Sequence, residues 1–349
     1  MPHRSKILPA SIALVVSSLA CATFFGESPA RPVVADSTTI ELVTAIPPVT
    51  EIPTTDTPAG AAPVTCPVVT GKIMEKSLLE GDGKGEVLDE EIVLVTYIVS
   101  GDKISDPYYE HVKPDLKDEQ KDSIKHQHIW DYFTALIPAD RRAAIGEYSI
   151  MTDGKDGALA AVSQTLKDPN AWALEVDIAD SHDYYNLTFT LVHEFGHLLT
   201  LGPDQVPPDV AVFVNPDDDD LYLKEVSACP QYFPGEGCAN ADSYINAYYR
   251  QFWADIYEEW NKINLEENDD AYYARLDEFY YKYEDQFVTD YAATNPEEDM
   301  AETWAFFVLG PKPAGDTIAG KKILFFYQYP ELVQLREEIL NNLCASFPE

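Results

Sequence analysis

His193, Glu194 and His197 lie in the stretch LVHEFGHLLTLGP, Leu191 to Pro203. On a helix, residues four apart share a face. The two imidazoles can then point at one ion, with Glu194 beside it. A catalytic zinc takes three protein ligands and keeps a fourth position open. It lowers the pKa of a water bound there to about 7, and a carboxylate placed as Glu194 is takes the proton as that water attacks a carbonyl. The alternative is a surface helix with two incidental histidines. Leu191, Val192, Phe195, Leu198 and Leu199 argue for a buried helix instead, where unpaired imidazoles are costly.

The site needs a third ligand. A metzincin-type histidine would fall at position 203, which is Pro203, and the accompanying glycine at 200 is Thr200. A second segment, TDYAATNPEEDMAETWAFFVLG, offers carboxylates. Asn295 is a good N-cap and Pro296 a good first helical residue, so a helix is expected from Pro296 to Leu309. Glu298 and Glu302 then share a face, as a ligand and a carboxylate one turn on that orients a ligating histidine. Acidic residues in a first turn also complement the helix dipole, which accounts for Glu297, Glu298 and Asp299 whatever the function. It does not account for Glu302. Glu225 and Asp242 lie nearer to His197 in sequence and remain rival ligands; Asp242 would make an aspartate-type site.

HEFGH followed by Y-x-x-T-N-P-E-E-D-M-A-E resembles the gluzincin zinc metallopeptidases, in particular the lethal-factor type and related exported bacterial enzymes. The resemblance covers about thirty residues in two blocks. It implies one zinc per chain held by His193, His197 and Glu298, with Glu194 as general base and Glu302 behind the ligands. It implies that Tyr291 stabilises the oxyanion or protonates the leaving amine. The fold implied is zincin-like, with a small sheet beside the histidine helix. The strand before that helix, Trp172 to Ile178, would line the cleft and pair with extended substrate. One departure is the gap of about a hundred residues between His197 and Glu298, longer than gluzincins usually show.

The elements that must position these residues form an α+β, mostly helical domain over residues 68–349. A strand is expected at Glu91 to Ser100 and a helix from Lys117 to Ile137. A half-buried strand of period two should place Trp172, Leu174, Val176 and Ile178 inward. The histidine helix should run from about Asn186 to Leu201, stopped by Gly202-Pro203. Two long amphipathic helices should follow. The first sets Ile245, Tyr249, Phe252, Ile256, Trp260 and Ile263 on one stripe, and the second spans Ala271 to about Val288. A last helix is expected from Pro330 to Asn342.

The chain start is export-like. His3, Arg4 and Lys6 precede the apolar ILPASIALVVSSLA, so residues 1–22 are expected to be a cleaved signal, a lipoprotein signal with lipid on Cys21, or an uncleaved anchor. Residues 23–67, rich in Pro and Thr, suit a tether. Four further cysteines suggest two disulfides, Cys229–Cys238 across PQYFPGEG and Cys66–Cys344 from domain start to end. With 24 Lys+Arg against 60 Asp+Glu, a net charge of −36, nucleic-acid binding is not expected and basic or neutral peptides are favoured. The expectation is an extracellular or cell-surface monomeric endopeptidase that hydrolyses peptide bonds with a metal-activated water. A catalytically inactive, tethered binding or structural domain is the alternative.

Several smaller signals are expected to be structural. They are the acidic turn Asn215 to Asp220, the differently facing His126 and His128, the loop residue His182, the tyrosine-rich helices, and the Asn186-Leu187-Thr188 sequon in a buried helix.

Overall fold

Runs of β-branched and aromatic residues build one five-stranded sheet. Its strands are β1 (Val87–Ser100), β2 (Lys103–Tyr109), β3 (Ile145–Gly154), β4 (Ala160–Gln164) and β5 (Trp172–Asp177), in the order β2-β1-β3-β5-β4. β3 and β5 pair in parallel and every other pair is antiparallel. This computed structural model describes residues 66–77, 87–155, 157–266 and 268–348. The signal, lipid-anchor and most of the tether readings, on residues 1–65, lie outside the described residues.

The helices are α1 (Pro67–Ser77), α2 (Lys117–Lys121), α3 (Ser123–Leu136), α4 (Tyr184–Leu201), α5 (Val210–Val214), α6 (Asp219–Ala228), α7 (Tyr244–Tyr248), α8 (Tyr257–Ile263), α9 (Asp269–Lys282), α10 (Pro296–Leu309), α11 (Ile318–Phe326) and α12 (Pro330–Ser346). The α+β class expected from the sequence is the architecture observed. Cys66 bonds Cys344 and Cys229 bonds Cys238, the pairing expected from loop composition and chain ends. Two disulfides suit an oxidising, extracellular setting. Among the described residues, no helix is long and apolar enough to cross a membrane.

Three local expectations are corrected. The helix foreseen over Lys117 to Ile137 breaks at Asp122, whose carboxylate accepts from the Lys125 N–H and caps α3. Aspartate gains more as an N-cap than inside a helix. The long stripe from Ile245 to Ile263 is interrupted by a π turn at Tyr249–Trp253, closed by Ala254 N–H to Tyr249 O at 3.0 Å. The wider turn changes the register, so Tyr248 and Trp253 are the fully buried residues there, while Tyr249 and Phe252 are only partly covered. The next helix ends at Lys282 rather than near Val288, and a 3₁₀ turn at Glu284–Gln286 leads Phe287 into the core.

The half-buried pattern of β5 also fails at its end. Asp177 is fully buried, with its carboxylate accepting from the backbone N–H groups of Asp153, at 3.1 Å, and Ala179. It closes the turn that leads toward α4.

Candidate metal centre

Asp183 caps α4 by accepting the Tyr185 N–H at 3.0 Å, which starts the helix two residues earlier than expected. α4 is apolar nearly all round and is buried, which puts His193, Glu194 and His197 out of solvent at 5%, 7% and 1% exposure. Asn295 accepts the Glu298 N–H at 2.7 Å and Pro296 takes the first position of α10, as the sequence implied. Gly196 lets the two helices touch. A Cβ there would lie 3.0 Å from Trp304 Cδ1 and 3.1 Å from Ala301 Cα, both on α10. Gly196→Ala is therefore expected to destabilise the protein by about 1–3 kcal/mol through overpacking. It should also weaken metal binding, since it separates the histidines from Glu298. Thermal unfolding and metal titration of the variant check both; unchanged values in both would show that α4 and α10 can part without loss.

The helix contact brings three donor atoms together. Glu298 Oε2 lies 3.0 Å from His193 Nε2 and 3.3 Å from His197 Nε2, and the two Nε2 atoms are 3.2 Å apart. Ligands about 2.0–2.1 Å from one tetrahedral zinc are about 3.4 Å apart, so the triangle has close to the right size. Two imidazoles and one carboxylate, all buried, could hold a metal ion, and this is the group of that kind found among the described residues. Glu225 and Asp242 are outside it. Glu225 pairs with Lys224 at 2.6 Å on α6, and Asp242 is exposed in a loop.

Glu302 is placed one turn further along α10. Its Oε1 meets His193 Nδ1 at 3.0 Å, leaving Nε2 for the centre. Its Oε2 accepts from the Thr289 hydroxyl at 2.8 Å. Thr289 was not foreseen; it lies just ahead of the glutamate segment, and only the chain reversal at Tyr291–Ala293 turns it onto Glu302. His197 Nδ1 is buried and has no hydrogen-bond partner among the described residues.

Charge and burial oppose each other here. Burial alone would raise Glu298, but His197 and His193 hold its carboxyl well below the usual range. Burial would lower His193, and its contacts with Glu298 and Glu302 instead raise it well above an ordinary imidazole. Glu194 is pushed up to about 7, first by burial and also by the Glu298 charge, against the pull of His193, His197 and a hydrogen bond from the Val162 backbone N–H. Tyr291 stands at the mouth with 51% of its surface exposed, its ring centroid 6.0 Å from that of His193. The Glu298 charge, then burial and the charge of Glu194, raise its hydroxyl well above 10.

The sheet corrects one expectation at this site. β5 is paired on both sides, to β3 and β4, so it has no free edge for an extended peptide. The free edge beside α4 belongs to β4. Leu159 O and Thr165 N bond back toward β5, which leaves the backbone groups of 160, 162 and 164 facing outward. Val162 is one of these, and its N–H reaches Glu194.

The remaining singled-out residues lie outside the metal group. His126 is buried between Tyr97 OH, at 2.9 Å, and Glu119 O, at 2.8 Å. His128 and His182 are exposed. Asp218, in the acidic turn, caps α6 by accepting the Leu221 N–H. Asn186 is buried at 9% exposure.

Comparison of the chain with protein-family models, with curated proteins and with solved structures finds no match in any of the three.

Proposed function

We propose that this chain is an exported, zinc-dependent endopeptidase of gluzincin type with a zincin-like fold, acting as a monomer at or beyond the cell surface. The observation that carries the reading is the buried constellation on α4 and α10. His193, His197 and Glu298 converge on one point, with Glu194 beside them and Glu302 on the far nitrogen of His193. Three protein donors are what a catalytic zinc site supplies, whereas a structural one is closed by a fourth.

Zinc held by these three residues would polarise a peptide carbonyl and make a water more acidic. Glu194 takes the proton of the water that attacks the scissile carbonyl and delivers it to the leaving amine. Tyr291 stays protonated, because the surrounding carboxylates raise it, and donates a hydrogen bond to the oxyanion. Glu302 and Thr289 fix the ring of His193. Extended substrate adds to the outward edge of β4. The acidic chain favours basic and neutral peptides over acidic ones.

Elemental analysis tests the centre. Wild-type protein should carry one zinc per chain, and Glu298→Ala should bind zinc more than about 100-fold more weakly, beyond the loss expected for an outer partner such as Glu302→Gln. Wild-type protein that takes up no zinc on titration would end the reading.

A further inference from the structure

The loop closed by Cys229–Cys238 and the start of α10 enclose a cavity of about 60 Å³ that shares Glu298 as a wall with the metal centre. Tyr232, Tyr257 and Trp260 give it aromatic sides, and Glu236, Glu297 and Asn264 give it acceptors. Gly237 holds the loop in place. A Cβ there would lie 2.2 Å from the Pro207 carbonyl oxygen, so the chain beside Glu236 can pack this closely only as glycine.

Two of the acceptor atoms lack donors. Asn264 is 3% exposed, and its Oδ1 and Glu236 Oε2 are shut from solvent without a hydrogen-bond partner among the described residues. Glu297 has the Tyr232 hydroxyl at 2.6 Å. No ion pair among the described residues involves Glu236 or Glu297. Buried acceptors left this way are unfavourable until a donor arrives. An apolar side chain would leave them so, and an acidic one would be repelled. A divalent metal would want a cluster of ligands, and the one group of that kind found among the described residues is the centre already described. Burial pushes the Glu236 carboxyl up to about 8 and that of Glu297 up to about 7. An alkylammonium group supplies the missing donors, draws these carboxyls into their charged form and touches the aromatic faces. At roughly 10–15 Å³ for each water-sized group, the cavity holds about four to six heavy atoms, the size of one aminoalkyl side chain.

We propose that this cavity is a specificity pocket for a lysine side chain of the substrate. Glu298 lines the cavity and also belongs to the metal centre, so the selected residue lies beside the scissile bond. The proposal rests on the endopeptidase reading above and names its substrate class.

Two measurements on the full, zinc-loaded chain separate the two ideas. In the first, kcat/KM is compared for peptides identical but for lysine, arginine or norleucine at a single site beside the cleaved bond. Wild type should favour the lysine peptide over the norleucine peptide by about tenfold or more. That ratio should collapse toward one in Glu236→Gln and in the Glu236→Gln/Glu297→Gln double variant. In the second, n-butylammonium is titrated while the Trp260 indole N–H is followed by NMR, with 1-butanol as the neutral control. The ammonium should shift the signal saturably in wild type, the alcohol should not, and the double variant should respond to neither. Equal use of the three peptides, a ratio that survives both substitutions, or an ammonium response that persists in the double variant would each overturn the pocket. If zinc-loaded wild type cleaves no peptide, the endopeptidase reading fails, and the butylammonium titration alone decides what the cavity binds.

Discussion

Glu194→Gln should reduce peptide hydrolysis by about 10²- to 10⁴-fold while leaving one zinc per chain. Glutamine keeps the size of the side chain. What it lacks is the capacity to take a proton from the attacking water. The groups that could hold the metal belong to His193, His197 and Glu298, so the metal content should not change. The pH profile supplies an independent check. A base must be deprotonated to act, so kcat/KM should rise with pH up to the pKa of Glu194 and level off above it. Burial pushes that carboxyl up to about 7, and a divalent charge beside it pulls it down, so the limb should lie at or below pH 7. The limb should vanish in the variant. A glutamine variant with full activity and unchanged zinc would identify the chain as using some other base; loss of zinc along with activity would show that Glu194 is a ligand.

Lys322→Met should destabilise the fold by about 3–5 kcal/mol, measured by denaturant unfolding near pH 8. Lys322, on α11, is fully buried with its Nζ 2.6 Å from Asp299 Oδ2 and 4.2 Å from the centre of the Phe287 ring. Asp299 also accepts from the Trp253 indole at 2.7 Å. Burial raises Asp299 and lowers Lys322, and the charge of each partner opposes the shift in the other. Methionine fills similar volume but leaves a carboxylate buried without its cation. The pH dependence has a definite sign. In the variant, Asp299 holds its proton more tightly folded than unfolded, so the deficit grows as pH rises above about 4 and shrinks toward that value. Asp299 follows Glu298 directly, so the variant should also bind zinc more weakly. A deficit below about 1 kcal/mol would show that the pair does not hold α10 in place.

The donor residues of the centre were legible because each lies in a local pattern. His193 and His197 repeat at helical spacing within one apolar run, and Asn295-Pro296 announces the helix that carries Glu298 and Glu302. The two disulfides were legible from loop composition and from the positions of the remaining cysteines. The helix breaks were not. Asp122 can sit inside a helix or cap one, and composition does not choose between the two; beside the π turn, the Trp253 indole bonds Asp299, forty-six residues away. The strand β4, AAVSQ, is too short and too rich in alanine to stand out, yet it is the edge beside Glu194.

By itself, then, the sequence determined the helices of the centre and the side chains each presents, because helical spacing and capping act within a few residues. Only the tertiary structure decided that Glu298, rather than Glu225 or Asp242, meets the histidines. It alone placed Thr289 on Glu302, put β4 rather than β5 at the open edge, and joined an acidic pocket to the centre. These depend on contacts between segments far apart in the chain, such as the approach of α4 and α10 across Gly196, and no local pattern encodes which distant surfaces will pack.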